Sequence, residues 1–152
     1  MLPLISRVMI RLSFMYFVIG MSIGGLMLAD KAYSIWPTVW LLRESHIEML
    51  LFGWIIQFTL GTGYWMLPRM LKDPVRGSEF WAWIMVITLN LGVLIMVSRP
   101  LWVPLLGASS SGMSWYTMAG ISGRSLELLG VLLFVKLHWK RIVTYRNLPH
   151  EH

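Results

Sequence analysis

The residues from Ile47 to Leu67 form an apolar run that contains a single charged side chain, Glu48. A helix needs about 20 predominantly apolar residues to cross the hydrocarbon of a bilayer, and this run is long enough. His46 lies directly before it. The sequence therefore predicts a membrane-spanning helix that begins with an imidazole.

Small and polar side chains recur at helical spacing along this run. On an α-helix they fall on nearly one face, since each follows the last by three, four or seven residues; they are His46, Gly53, Gln57, Gly61 and Tyr64. Polar and small groups at membrane depth usually face other helices. We expect this stripe to face protein or a cofactor and not lipid.

The composition predicts an integral membrane protein. Of the 152 residues, 57% are hydrophobic and 13% are charged, which is too apolar for a soluble domain of this length. The apolar runs predict an all-α, four-helix transmembrane bundle in a single domain, with spans at about 8–29, 46–67, 80–97 and 115–137. With no cysteine, the chain has no disulfide, thiolate metal site or Cys-x-x-Cys-His haem attachment.

Polar segments separate the predicted spans. The first span is read as retained and not as a cleaved signal peptide, and Gly20 and Gly24 give it a face that a second helix can approach closely. Breaks are expected at 30–37, at the polar turn 69–77, and over a long loop from Arg99 to Gly112. A short polar tail is expected from Lys140.

The distribution of basic residues predicts the orientation. Lys31, Arg43 and Arg99 fall on one side, and a larger group falls on the other: Arg7, Arg11, Arg69, Lys72, Arg76, Lys136, Lys140, Arg141 and Arg146. The positive-inside rule then places both termini in the cytoplasm and His46 near the outer surface of the inner (plasma) membrane. The net charge of +6 is read as anchoring to lipid and not as nucleic-acid binding.

Two charged residues, Arg124 and Glu127, lie inside the fourth predicted span. Three residues apart on one helix face, they can neutralise each other, and an unpaired charge at this depth is costly. A structural pair and contact with a ligand are both open at this point.

Motifs of hydrolases and nucleotide enzymes are missing from the sequence, which has no phosphate-binding Gly-rich loop, Gly-x-Ser-x-Gly elbow or His-Glu-x-x-His pair. A neutral imidazole is the usual axial ligand of b-type haem. Gly53 lies on the same helix face as His46 and would leave room there for a flat macrocycle. A hydrogen-bonded interfacial histidine is the alternative.

The pattern His46, Gly53-Trp54, Gly61, Tyr64 and Pro68-Arg69 resembles the second transmembrane helix of the haem-copper oxidase superfamily, which includes nitric oxide reductases and NnrS-type haem proteins. The first span resembles the helix that precedes it in those proteins. In the superfamily this second helix supplies a histidine to a low-spin haem near the outer side. The resemblance implies haem b on His46.

The resemblance also implies roles for other residues. Arg43 and Arg124 would bind the haem propionates, and Met27, a second protomer or another subunit would supply the second axial ligand. Four spans have no room for the copper histidines of a full oxidase, so oxygen reduction is not expected. Whether the chain is an enzyme stays open at this point, and an enzymatic role would be that of an oxidoreductase subunit. His138 lies a membrane thickness from His46 and should not bind the same iron.

Three functions remain open from the sequence. The first is b-type haem binding in electron transfer or in nitric oxide or oxygen handling. The second is a haem-free accessory or assembly subunit of a respiratory complex, packed through its glycines. A small transporter that uses Arg124 and Glu127 is the third, without the inverted repeat that would support it. A homo-oligomer or other membrane subunits are expected as partners in the first two.

Overall fold

The computed structural model describes residues 2–67, 78–106 and 115–145, and all regular secondary structure within them is helical. The long helix α1 spans Leu4–Tyr33. A 3₁₀-helix at Pro37–Leu42 leads into a continuous helical run made of α2 (Arg43–Glu48), a π-helix (Met49–Ile56) and α3 (Gln57–Met66). We call this run the second span. Helices α4 (Glu79–Leu106) and α5 (Trp115–Tyr145) follow.

Within the described ranges, three helical segments are long and apolar enough to cross a membrane: Leu4–Tyr33, Glu79–Trp102 and Trp115–Trp139. The pieces of the second span are each too short to do so alone, but together they form a continuous helix that contains most of the predicted span 46–67. The prediction of an all-helical membrane protein with four helical stretches is confirmed.

The loop predicted to begin at Arg99 was wrong. Helix α4 continues through Pro100 and Pro104 to Leu106, where a loop from Arg99 was predicted. Proline is tolerated in apolar membrane helices because neighbouring groups can satisfy the freed carbonyls, and α4 packs along α5 over much of its length. Helix α5 continues past Lys140 to Tyr145, so the first part of the predicted polar tail is helical. The predicted turn 69–77 and the part of the predicted loop at 107–112 lie outside the described residues.

The helices pack in chain order. Helix α1 packs against the second span, which contacts α4, and α4 and α5 form the most extensive pair. Glycine allows that pair to approach closely: a Cβ atom on Gly92 would lie 2.8 Å from the carbonyl oxygen of Gly123, and one on Gly130 would lie 3.2 Å from the Cα atom of Leu89. Such backbone contacts between small residues are a main source of stability between membrane helices.

Two polar side chains fix the ends of helices. The carboxylate of Asp30 accepts hydrogen bonds from the backbone N–H of Trp36 at 2.5 Å and from the indole N–H of Trp40 at 2.8 Å, which ties the 3₁₀-helix to the end of α1. At the other end of the molecule, the guanidinium of Arg141 is buried and donates to the carbonyl oxygens of Tyr64 and Leu67. Arg141, predicted only as a topology signal, also satisfies the last carbonyls of α3.

We expect Gly92→Ala to destabilise the α4–α5 pair, because the added methyl group would collide with backbone atoms that cannot move aside. Overpacking of this kind costs about 1–3 kcal/mol. Gly25→Ala is the matched control, since a Cβ atom at Gly25 meets nothing within 4 Å. Denaturant unfolding in detergent measures both variants, and equal stability of the two would contradict this packing.

Candidate functional site

His46 lies in α2, half-buried against α1. Its Nδ1 atom is 2.7 Å from the carbonyl oxygen of Gly20. The ring lies over Gly24, where a Cβ atom would come within 2.5 Å of its Cε1 atom. The missing side chain at Gly24 therefore admits the imidazole between the two helices, while Gly20 contributes its carbonyl oxygen.

The hydrogen bond to Gly20 determines the tautomer of His46. A carbonyl oxygen can only accept, so Nδ1 must carry the proton, and in the neutral ring Nε2 then keeps its lone pair. Metal-bound histidines in proteins are usually held by this same contact, with one ring nitrogen donating to a carbonyl and the other facing the metal. The imidazole of His46 thus fits the role of an axial haem ligand.

The predicted stripe of the second span faces α1 along most of its length. The amide Nε2 of Gln57 is 3.3 Å from the carbonyl oxygen of Met9, and a Cβ atom on Gly61 would lie 2.9 Å from the Cβ of Met9. Farther along, the ring of Tyr64 packs edge-on against His138 of α5. The prediction that the stripe faces protein is confirmed for these residues.

The space beside Gly53 holds a side chain of α1. A Cβ atom on Gly53 would lie 2.6 Å from Cγ of Tyr16, whose hydroxyl is 3.3 Å from the Oδ1 atom of Asn90. A macrocycle against Gly53 would require the Tyr16 ring to move. Met27 is buried on the face of α1 that carries Gly20 and Gly24, one turn beyond Gly24.

Arg124 joins two buried carboxylates from two helices. Its Nη2 atom lies 2.6 Å from Oε2 of Glu48, and its Nη1 atom lies 2.8 Å from Oε2 of Glu127. The side chains of Glu48 and Glu127 are 3% and 1% exposed, so both charges are compensated by this guanidinium inside the bundle. The predicted Arg124–Glu127 pair is present, and Glu48 is a third member that sequence reasoning did not place there.

This cluster lies on the side of the second span that faces α4 and α5, whereas His46 faces α1. The structure therefore does not bring Arg124 and His46 to one surface of the second span. Arg43, the other predicted propionate partner, is exposed in the first turn of α2.

A second polar cluster lies at the start of α2. The hydroxyl of Tyr116 is 2.6 Å from Oε2 of Glu44, and the guanidinium of Arg99 lies 3.5 Å from the same oxygen and 3.8 Å above the Tyr116 ring. Except for Glu127, the members of both clusters line one groove of about 760 Å³ between the second span, α4 and α5. Sequence reasoning missed it, because its members come from three distant segments.

His138 lies far from these groups, in the half of α5 beyond the clusters. Its Nδ1 atom is 2.7 Å from the carbonyl oxygen of Phe134, its ring stacks on the Phe134 ring, and it is 1% exposed. Among the described residues, no group of three histidine, cysteine, aspartate or glutamate side chains is placed to hold a metal ion.

Comparison with known proteins decides the family. The sequence profile of the cytochrome c and quinol oxidase polypeptide I family matches residues 4–151. The chain belongs to this family. Searches of curated proteins and of solved structures gave no match.

Membership of the oxidase polypeptide I family confirms the resemblance drawn from the first two spans and extends it over α4 and α5. Proteins of this family bind haem. The chain is thus a membrane protein similar to haem-copper oxidase subunit I.

We expect Arg124→Gln to lower the free energy of unfolding by about 3–5 kcal/mol, because it leaves both Glu48 and Glu127 buried without a cation. Glu48→Gln should cost less, since Arg124 still pairs with Glu127. Glu44→Gln is the control, because the Glu44 side chain is 56% exposed and exposed ion pairs contribute about 0–1 kcal/mol. Unfolding in mixed detergent ranks the stabilities of the three variants. An Arg124→Gln variant as stable as the Glu44→Gln control would contradict the pairing of Arg124 with both carboxylates.

Proposed function

We propose that this family member is a b-type haem-binding protein of the inner membrane, active in electron transfer or in nitric oxide or oxygen handling, with Nε2 of His46 as an axial ligand. The observation that carries the proposal is the 2.7 Å contact between Nδ1 of His46 and the Gly20 carbonyl oxygen, which leaves Nε2 as the ligating atom. Haem would supply the one-electron chemistry. The chain's own residues hold and orient the imidazole.

Gly20 and Gly24 of α1 contact the imidazole ring of His46, which is the proposed axial ligand. The Gly20 carbonyl fixes the tautomer and the plane of the ring, and Gly24 provides the space in which the ring lies. A donor hydrogen bond from Nδ1 also makes the opposite nitrogen more basic. Met27, on the same face of α1, is our candidate for the second axial position, and Arg43 is our candidate for a propionate. Arg124 is ion-paired on the opposite side of the second span, so we do not propose it as a partner of the same haem.

A haem-free accessory subunit is the alternative, in which the glycines would pack against a larger complex. The described contacts do not favour it. Gly20 packs against Leu50, Gly24 against His46, and Gly53 against Tyr16, so these glycines already have neighbours within the chain. The orientation with both termini in the cytoplasm and the association with other subunits or a second copy remain part of the proposal.

A reduced-minus-oxidised spectrum of the purified protein in detergent tests the proposal. We expect a sharp b-type band that His46→Ala abolishes and that His138→Ala leaves intact. These histidines form a matched pair, because each has Nδ1 bonded to a backbone carbonyl and only one lies beside the two glycines of α1.

A variant of Gly24 gives an independent check. Gly24→Ala places a methyl group against the ring, so we expect a shifted or weakened band with helicity retained, whereas Gly25→Ala should leave the band unchanged. Absence of any band in folded wild-type protein would overturn the haem assignment, and a band lost only in His138→Ala would move the ligand to α5.

A further inference from the structure

The groove between the second span, α4 and α5 has an unusual combination of charges at its outer part. Its polar lining comes from the first turn of α2, the first turn of α5 and the last part of the apolar stretch of α4, in the side chains of Glu44, Tyr116 and Arg99. Because all three lie near the ends of membrane-crossing helices, this part of the groove is at the level of lipid headgroups.

The guanidinium of Arg99 is mostly buried but has few close hydrogen-bond acceptors. Its side chain is 14% exposed, and its contact to Glu44 is long at 3.5 Å. Its Nη1 atom is 3.6 Å from the thioether of Met96, which is a weak acceptor, and within the described part of the chain its Nε–H is buried without a partner. A guanidinium has five N–H donors suited to a phosphate. Arg99 therefore has donors left for a phosphate group in the groove that it lines.

Glu44 supplies the opposite charge next to Arg99. Its side chain is 56% exposed, so it can accept from a further donor in addition to the Tyr116 hydroxyl. A ligand that presents a phosphate to Arg99 and an N–H donor to Glu44 would satisfy both. The spacing suits a phosphate and an ammonium joined by a short linker.

The charge of the groove argues against an anionic ligand. Its two lining carboxylates, on Glu44 and Glu48, already balance its two lining guanidiniums, on Arg99 and Arg124. An anionic headgroup would add an unbalanced negative charge. A zwitterionic headgroup adds no net charge and can pair with both signs.

The surroundings of the Tyr116 ring favour a headgroup with a primary ammonium over one with a quaternary ammonium. A quaternary ammonium cannot donate a hydrogen bond and is recognised by the face of an aromatic ring. One face of the Tyr116 ring is already covered by Arg99 at 3.8 Å. A primary ammonium, which donates to a carboxylate, matches Glu44 better.

The geometry points to a binding site for an aminophospholipid, with the phosphate on Arg99, the primary ammonium on Glu44 and the acyl chains along Ile47 and Ile121. Both isoleucines line the groove and are about half exposed, at 48% and 54%. A groove of about 760 Å³ is within the range of small-molecule sites in proteins. The lipid would cover the groove that Arg124 and Glu48 also line.

Native mass spectrometry tests this site. Protein in detergent is incubated with equal amounts of phosphatidylethanolamine, phosphatidylcholine and phosphatidylglycerol that share the same acyl chains, and the retained lipid is counted. We expect phosphatidylethanolamine to be retained about tenfold over phosphatidylcholine, the effect of one charge-assisted hydrogen bond. Equal retention of the three lipids, or a preference for phosphatidylglycerol, would overturn the proposal.

Variants separate the two halves of the headgroup. Glu44→Gln should abolish the preference over phosphatidylcholine, and it should fold normally because the side chain is exposed. Arg99→Gln should lower retention of both zwitterionic lipids, and Arg99→Lys should restore part of it.

Glu79→Gln and Arg11→Gln are the controls. They remove the same kinds of charge at exposed positions outside the groove and should have no effect. Lipid retention that is insensitive to Glu44→Gln, or equally sensitive to these controls, would contradict the assignment.

Discussion

A charge within an apolar bundle has to be compensated by the protein itself, and Arg124 meets this requirement for two carboxylates at once. Glu48 comes from the second span and Glu127 from α5, so their shared guanidinium connects the two helices. Removing water from such groups is costly unless they are paired and hydrogen-bonded. This constraint leaves α2 little freedom to rotate about its axis.

The orientation of His46 follows from the same constraint. Since Glu48 must face α5, His46, two residues earlier on α2, faces the other way, toward α1. Glycine at position 24 then allows the ring to approach the backbone of α1 closely enough for its Nδ1 atom to donate to the carbonyl of Gly20. The ion pair on one side of the helix thus determines the ring geometry on the other.

Local patterns were sufficient to predict much of this architecture. Apolar runs gave the helical stretches, the three-residue spacing gave the Arg124–Glu127 pair, and the stripe from His46 to Gly61 indicated the face that packs on α1. What failed depends on contacts between distant residues. The partner of Glu48 is 76 positions away, and no local signal identifies it. The π-helix at Met49–Ile56 and the helical continuation through Pro100 are also invisible to a search for periodicity, because their backbones do not follow the rule that the search assumes.

The central claim is that an iron atom binds Nε2 of His46 while Nδ1 donates to α1. Electron paramagnetic resonance on the oxidised protein, prepared with ¹⁵N-labelled histidine, measures this most directly, since an imidazole bound to ferric haem shows hyperfine coupling to its nitrogen. The account predicts a ¹⁵N coupling that disappears in His46→Ala and persists in His138→Ala. A ferric signal without histidine coupling, or one unchanged by His46→Ala, would contradict it.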